Sequence, residues 1–511
     1  MSDWSAGYVT EVGYTHGFYR ELVPRMLAFG ALLRGLAAPG LGPEPIRVLE
    51  LGCGQGLSAN IIAAACPEVD YTAVDFNPAH IAGARALAEA AGIPNIRFRE
   101  ASFEDVAEDA GLGQFDVVTL HGVYTWVSEA NRRHIVRIAR DKLEGGGLLY
   151  VSYNTHPGWT PFMPIRRMFM DAIAAAPQVP LLERLEEVFK LFRRLTEVKA
   201  RYVAGMPGLA ERMKRLEGLQ KNYFAHEFLN EEWTIFHFAE VAEDMARAKL
   251  TYVGSAHVLE NVDYLNLTPE QRAFLGEIRD SVRREGLRDL IESRQFRRDI
   301  FVKGRLPLGP VRIREVWSNL RFALSARAAD VPRKVKGGLG EFDLKADIYG
   351  RLLDRLDGGP RTGRELLETV AGTGAGWPQL CEALAILVGQ GSCHVAPPEK
   401  GEEQRAKRTE ALNGAILQRA RDSTELQFLA SPVIGSAVAV DRISQLMLLA
   451  AREKRADPVR FVWGILRSHG QKLIKDGKVL ETEEESLAHL RQLVDRFQSG
   501  PSVTLGRLKV R

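Results

Sequence analysis

One stretch constrains this chain more than any other: Ile46-Arg47-Val48-Leu49-Glu50-Leu51-Gly52-Cys53-Gly54-Gln55-Gly56, with Asp75 downstream. Apolar Ile46, Val48, Leu49 and Leu51 predict a short buried strand, the alternating glycines a tight loop, and Leu57–Ala65 the helix that loop opens. Glycines suit a loop where a ligand lies against bare backbone at a helix N-terminus, because any Cβ would hold it off. A second strand, Tyr71-Thr72-Ala73-Val74, ends in Asp75, whose carboxylate is placed for the hydroxyls of a ribose. The expected ligand is therefore a nucleoside.

A dinucleotide site spaces its glycines Gly-x-Gly-x-x-Gly around a pyrophosphate, whereas here they alternate and follow Glu50, an acid that repels phosphate. Glu-Leu-Gly-Cys-Gly-Gln-Gly with a distal Val-Asp resembles the first motif of Rossmann-like methyltransferases, whose cofactor S-adenosylmethionine carries a cationic sulfonium and a zwitterionic amino-acid end. The resemblance implies that Glu50, Gly52, Cys53, Gly54 and Gly56 line the cofactor, with Asp75 and Phe76 at its ribose. The competing structural account is a glycine turn in an ordinary α/β domain.

Upstream, Tyr14 and Tyr19 precede an apolar helix running to about residue 36 and are candidates for an aromatic lid that keeps water from the sulfonium. After Asp75, Asn77 caps a helix with Pro78 in its first turn. A third strand at 96–101 ends where relatives of this class place an acid against the adenine amino group; here Ala101, Ser102 and Phe103 border the base, and the acid is displaced to Asp105 or absent. The fourth strand, 115–120, runs into His121-Gly122-Val123-Tyr124-Thr125-Trp126-Val127. A helix over 129–143 is expected to end at Gly145-Gly146-Gly147, before a fifth strand at 148–152. Doubly wound sheets bind ligands at the carboxyl ends of their strands. His121 is thus a cofactor contact, and Tyr124, Trp126, Tyr153 and Asn154 are candidates for the catalytic acceptor pocket, where ring faces suit a cationic donor and an amine acceptor.

The His121–Val127 segment, Tyr153-Asn154-Thr155-His156-Pro157-Gly158-Trp159, Ala225-His226-Glu227-Phe228-Leu229 and Arg294-Gln295-Phe296-Arg297-Arg298 together resemble the bacterial methyltransferases with a "methyltransferase regulatory domain". That family includes rickettsial protein-lysine methyltransferases acting on outer membrane protein B; His156 departs from the tyrosine of its pattern. The resemblance implies methyl transfer to lysines of a protein acceptor, an outer-membrane or surface protein met before export, and a homodimer is expected. A small-molecule methyltransferase, or a cofactor-binding regulatory protein with little turnover, are the other readings.

The fold expected is α/β: a Rossmann-like seven-stranded methyltransferase domain at 1–158 and 233–306, with its sixth and seventh strands at 250–254 and 299–303. A helical insertion at 159–232 roofs the site; His226 and Glu227 within it lack the ligand count of a metal site and read as a hydrogen-bonded pair. A winged-helix-like domain follows at 307–399, with a helix at 313–328, a boundary at 334–340 and three later helices. Its third helix, Trp377–Gly389, carries no Lys or Arg to meet phosphates, which argues for protein contact over DNA. A charged linker at 400–408 leads to a C-terminal helical domain at 409–511 that ends in a solvated basic tail of Arg507, Lys509 and Arg511. With 68 basic against 65 acidic residues, no global field draws the chain to nucleic acid or anionic membrane. The four cysteines lack ligand spacing, no metal is expected, and with no export signal or apolar span in sight the expected location is the cytoplasm.

Overall fold

The computed structural model describes residues 15–206 and 208–511. Seven strands form one sheet: β1 Ile46–Leu51, β2 Val69–Asp75, β3 Ile96–Glu100, β4 Phe115–Leu120, β5 Leu143–Asn154, β6 Leu250–Ser255 and β7 Phe296–Lys303. Their order is β3-β2-β1-β4-β5-β7-β6, with β7 antiparallel to both neighbours and the first five strands parallel. β1, β2 and β4 are each buried at every residue but one because helices cover both faces, as a parallel sheet requires.

The helices α1 Pro24–Leu33, α2 Leu57–Ala65 and α3 Pro78–Ala90 share one apolar core on one side of the sheet. Opposite them lie α4 Phe103–Glu108 and α5 Glu129–Lys142. The sequence expectation of glycines 145–147 as a stop is corrected: they lie inside β5, where the pairing with β4 slips from Phe115↔Leu143 to Val117↔Leu148. Small residues let the strand bulge there rather than turn.

Between β5 and β6 the chain rises into α6 Met163–Ala174, α7 Leu181–Glu197, α8 Arg201–Gly205, α9 Leu209–Glu217 and α10 Lys221–Phe228, followed by α11 Phe238–Arg247 back on the sheet. α6 to α10 have their own apolar core, and Trp126 and Phe296 join it from below. The exit strand is sewn to the sheet where Phe236 N donates to Asn154 O (3.0 Å) and Thr234 N to Thr125 O (2.8 Å).

The C-terminal half departs from the expected domains in four places. Residues expected to extend a helix to 328 instead leave Pro310–Asn319 for a strand, Arg321–Leu324, which pairs with Cys393–Ala396 and Arg361–Thr362 beside helices Ala346–Asp357, Gly363–Val370 and Trp377–Gly389. The expected boundary at 334–340 is a hairpin, Lys334–Gly337 with Gly340–Asp343, docked so that Leu339 N donates to Leu265 O. The expected linker at 400–408 is the first half of an 18-residue helix, Glu402–Arg419, lying on α2 and α3. The expected solvated tail is docked: Val510 is buried, Asn413 Nδ2 donates to Val510 O (3.1 Å), and Arg507 pairs with Asp357 (2.9 Å). One continuous core thus runs from α1 to Val510, and Cys66 on α2 sits with its Sγ 3.7 Å from Gly435 O.

Candidate functional site

A cavity lies at the carboxyl ends of β1, β2 and β4, with the glycine loop as its floor. Gly52, Gly54 and Gly56 all hold positive φ. At two of them the requirement comes from protein neighbours as well as from a ligand. A Cβ on Gly52 would stand 2.6 Å from Val123 Cγ2, and one on Gly56 would stand 2.6 Å from Ala84 Cβ and 2.8 Å from Phe98. The loop can turn only by letting α3, β3 and the β4 loop press against bare backbone.

Asp75 organises the opposite wall. Its Oδ2 accepts from Gly54 N (2.8 Å), and its Oδ1 accepts from Asn77 N (2.9 Å) and faces His80 Nδ1 at 3.2 Å. A carboxylate offers about four acceptor positions, so one remains on the cavity side for a hydroxyl. Glu50 is buried, accepts from the Tyr71 hydroxyl (2.9 Å), and is pushed up to about 7, chiefly by burial, with the Tyr71 hydrogen bond opposing. A cation bound beside it would restore the ionised form. His121 lies tilted against Tyr19 at 3.9 Å between ring centroids and places Nδ1 2.7 Å from the Tyr150 hydroxyl. Burial lowers it to about 4, so the ring facing the cavity is neutral at physiological pH and does not repel a sulfonium.

All eleven residues expected to hold the cofactor line this cavity: Tyr19, Glu50, Gly52, Cys53, Gly54, Gly56, Asp75, Phe76, Ser102, Phe103 and His121. Tyr14 lies outside the described residues. Asp105 does not reach the wall. It closes a capping box on α4, its Oδ2 accepting from Ser102 N (2.9 Å) and Ser102 Oγ (2.7 Å), and Ala101, Ser102 and Phe103 line the cavity on that side. The sequence missed Thr15, Gly17, Ser58, His80 and Asn131, which also line the cavity. Ser58 had a readable signal at the start of α2: its Oγ accepts from Tyr19 N (3.1 Å) and donates to Gly17 O (3.1 Å), pinning the segment before α1 across the mouth.

The four acceptor candidates divide. Trp126 lines the cavity, and its Nε1 donates to Glu227 O (2.9 Å) on α10. Asn154, 1% exposed, ends β5 beneath the same helix. Tyr124 and Tyr153 must be corrected: both are fully buried and off the cavity wall, with Tyr124 Oη donating to Asp244 on α11 (2.7 Å) and Tyr153 Oη to Asp299 on β7 (2.6 Å). A strand sends successive side chains to opposite faces, and the ring at 153 goes to the α11 side of the sheet. There Arg297, fully buried, pairs with Asp299 (2.9 Å) and Asp289 (2.5 Å), so the Arg294–Arg298 motif is a buried ionic brace under β7.

The strand order with an antiparallel β7, the alternating-glycine loop and the acid ending β2 define a class I methyltransferase domain. The family model for a methyltransferase domain matches residues 48–147, and that for a "predicted methyltransferase regulatory domain" matches 220–303. An uncharacterized protein of Synechocystis sp. is 40% identical over 507 residues, covering 99% of both chains. This chain belongs to the S-adenosylmethionine-dependent methyltransferases that carry this regulatory domain. In fold it is similar to PKMT2 from Rickettsia typhi, at a TM-score of 0.68, 19% identity and coverage of 97% of this chain and 99% of that one; the PKMT2 complex with AdoHcy gives 0.69. A malonyl-[acyl-carrier protein] O-methyltransferase of Paenibacillus is 30% identical over 28% of this chain and 49% of its own. The matched regulatory segment is no separate body, since it supplies α10, α11, β6 and β7 to the catalytic unit.

Proposed function

We propose that this enzyme transfers the methyl group to lysine side chains of a protein acceptor. The observation that carries the reading is the roof: a helical layer with its own core stands over the strand ends and is anchored on Trp126, a residue of the cavity wall. Its likeness in fold to PKMT2 from Rickettsia typhi along nearly the whole chain supports the same reading. The bound donor supplies an electrophilic methyl on a sulfonium. The glycine loop and Asp75 hold its nucleoside end, Glu50 offsets its positive charge, and Tyr19, His121 and Trp126 exclude water from the transfer path. Alignment of the acceptor within near-attack distance supplies about 7–11 kcal/mol without a covalent intermediate. A lysine ammonium must first lose its proton, and desolvation beside aromatic walls lowers its pKa in that direction.

Full-length protein incubated with methyl-tritiated S-adenosylmethionine and bacterial lysate tests the proposal. Acid-precipitable label that survives mild base and is recovered as methyllysine after hydrolysis is the expected result. Label confined to the small-molecule fraction would make the enzyme a metabolite methyltransferase, and its absence from both fractions would make it a donor-binding regulatory protein. The labelled acceptor is expected to be a surface or outer-membrane protein, identified by mass spectrometry, and the expected homodimer is read by sedimentation.

A further inference from the structure

Asn154, Trp126 and Glu227 come from three distant parts of the chain and meet under the roof. Glu227 sits half-buried on α10, its backbone carbonyl held by the Trp126 indole. The Asn154 amide, fully buried, stands close enough to Glu227 to favour the ionised carboxylate, and its Nδ2 has no other hydrogen-bond partner. Tyr223, one turn earlier on α10, has its phenol pushed up by the Glu227 charge first, by burial second and by Tyr19 third. Tyr19 and Trp126 are both cavity-wall residues, so Glu227 and Tyr223 stand next to the wall of the donor cavity without lining the cavity itself.

No lysine or arginine among the described residues forms an ion pair with Glu227. The groups that face it are Tyr223 from its own helix with Tyr19 beyond, neutral Asn154 from β5 and neutral Trp126 from the β4 loop; burial pushes it up to about 8. A carboxylate placed this way costs folding free energy. It lies beside a buried amide that has no other partner and next to the wall of a methyl-donor cavity, which are the elements of an ammonium site.

We propose that Glu227, with Asn154 beside it, is the site that receives the ammonium of the acceptor and takes up its proton before methyl transfer. This inference rests on the reading of the acceptor as an amine. The R–NH3+ group gives one proton to a Glu227 carboxylate oxygen and becomes R–NH2. The nitrogen lone pair then forms the N–CH3 bond, the C–S pair returns to sulfur as a neutral thioether, and Glu227 later releases its proton to water. The Nδ2 of Asn154 holds the carboxylate oxygen that does not take the proton.

The test uses the full chain with methyl-tritiated S-adenosylmethionine and lysate protein as acceptor, comparing wild type, Glu227→Gln and Glu227→Asp. Glu227→Gln should lower incorporation into protein by about a hundredfold or more, the usual range for a lost general base. Donor affinity by calorimetry and the melting temperature should stay close to wild type, and Glu227→Asp should recover part of the rate. Wild-type incorporation should rise with pH up to about 8 and level off, because Glu227 must be ionised to receive the ammonium. In Glu227→Gln that limb should move toward about 10.4, the value of a free lysine. Equal incorporation by wild type and Glu227→Gln, or an unchanged pH limb, overturns the inference and leaves the amine acceptor standing. Label appearing only in small molecules with wild type overturns the amine-acceptor reading and this inference together.

Discussion

The Asp75 carboxylate accepts from Gly54 N and Asn77 N and faces His80, so it sets the shape of the glycine loop as well as offering a position to a ribose hydroxyl. Asp75→Ala should therefore weaken S-adenosylmethionine binding by about 1.5–3 kcal/mol, the worth of a charge-assisted hydrogen bond, and should also lower stability because two loop amides lose their acceptor. Calorimetry with unchanged affinity would remove Asp75 from the ribose. Glu50, raised to about 7 by burial, is neutral below that pH and ionised above it. A cationic donor prefers the ionised form, so donor affinity should be fully present above about pH 7 and fall as pH drops through it, by at most about tenfold per unit. Glu50→Gln should flatten that dependence in calorimetry between pH 6 and 8.5. At Tyr153 the expectation differs from what the sequence suggested: Tyr153→Phe removes the hydroxyl that serves Asp299 and should cost about 1–3 kcal/mol of stability by denaturant titration, with turnover per folded molecule unchanged. A loss of turnover at unchanged stability would return Tyr153 to the acceptor pocket.

The elements that shape the cavity are held by local devices. Short α4 forms because Ser102 and Asp105 cap it reciprocally, and its first residue, Phe103, thereby becomes part of the cavity wall. Ser102→Ala should cost about 1 kcal/mol of stability and weaken the donor by less than tenfold. Asp105→Asn abolishing donor binding at unchanged melting temperature would mean that the acid reaches the base after all. The β1 to β2 unit was legible residue by residue, because strand, glycine loop and capped helix are each decided within a few positions of the chain. The glycines of β5 were read as a stop because glycine does end helices; in the folded sheet the neighbouring β4 paired across them and absorbed the extra residues as a bulge. The charged run at 400–408 was read as linker, yet it carries Arg405, which is buried and donates to Pro432 O (3.1 Å) and Pro398 O (2.6 Å).

For the molecule as a whole, the C-terminal half is part of the core that supports the donor cavity. Helix Glu402–Arg419 lies on α2, the helix opened by the glycine loop, and Arg408 Nη1 donates to Asn95 Oδ1 (3.0 Å) in the turn before β3. Arg20 donates to Val388 O (2.9 Å) and Gly389 O (2.6 Å), tying the segment over the cavity mouth to the helix Trp377–Gly389. The lack of a cofactor motif after about residue 340 would by itself allow those residues to be removed without loss of donor binding. The shared core predicts otherwise: a chain ending at Gly401 exposes the apolar outer face of α2 and should aggregate or melt well below the full chain, with donor affinity reduced. A truncated protein that stays monomeric in size-exclusion chromatography and binds S-adenosylmethionine at full strength would refute this.

From the sequence alone came the α/β class, the alternating-glycine loop between β1 and α2, and the acids Glu50 and Asp75 at the ends of β1 and β2, because each depends on spacing within one or two neighbouring elements. Only the tertiary structure decided that Tyr124 and Tyr153 point into the core, that Asp105 caps a helix, and that Glu227 stands beside Asn154 and Trp126. Those facts depend on which face of an element a distant segment covers, and that is settled by burial summed over the whole chain, which no local pattern of residues records.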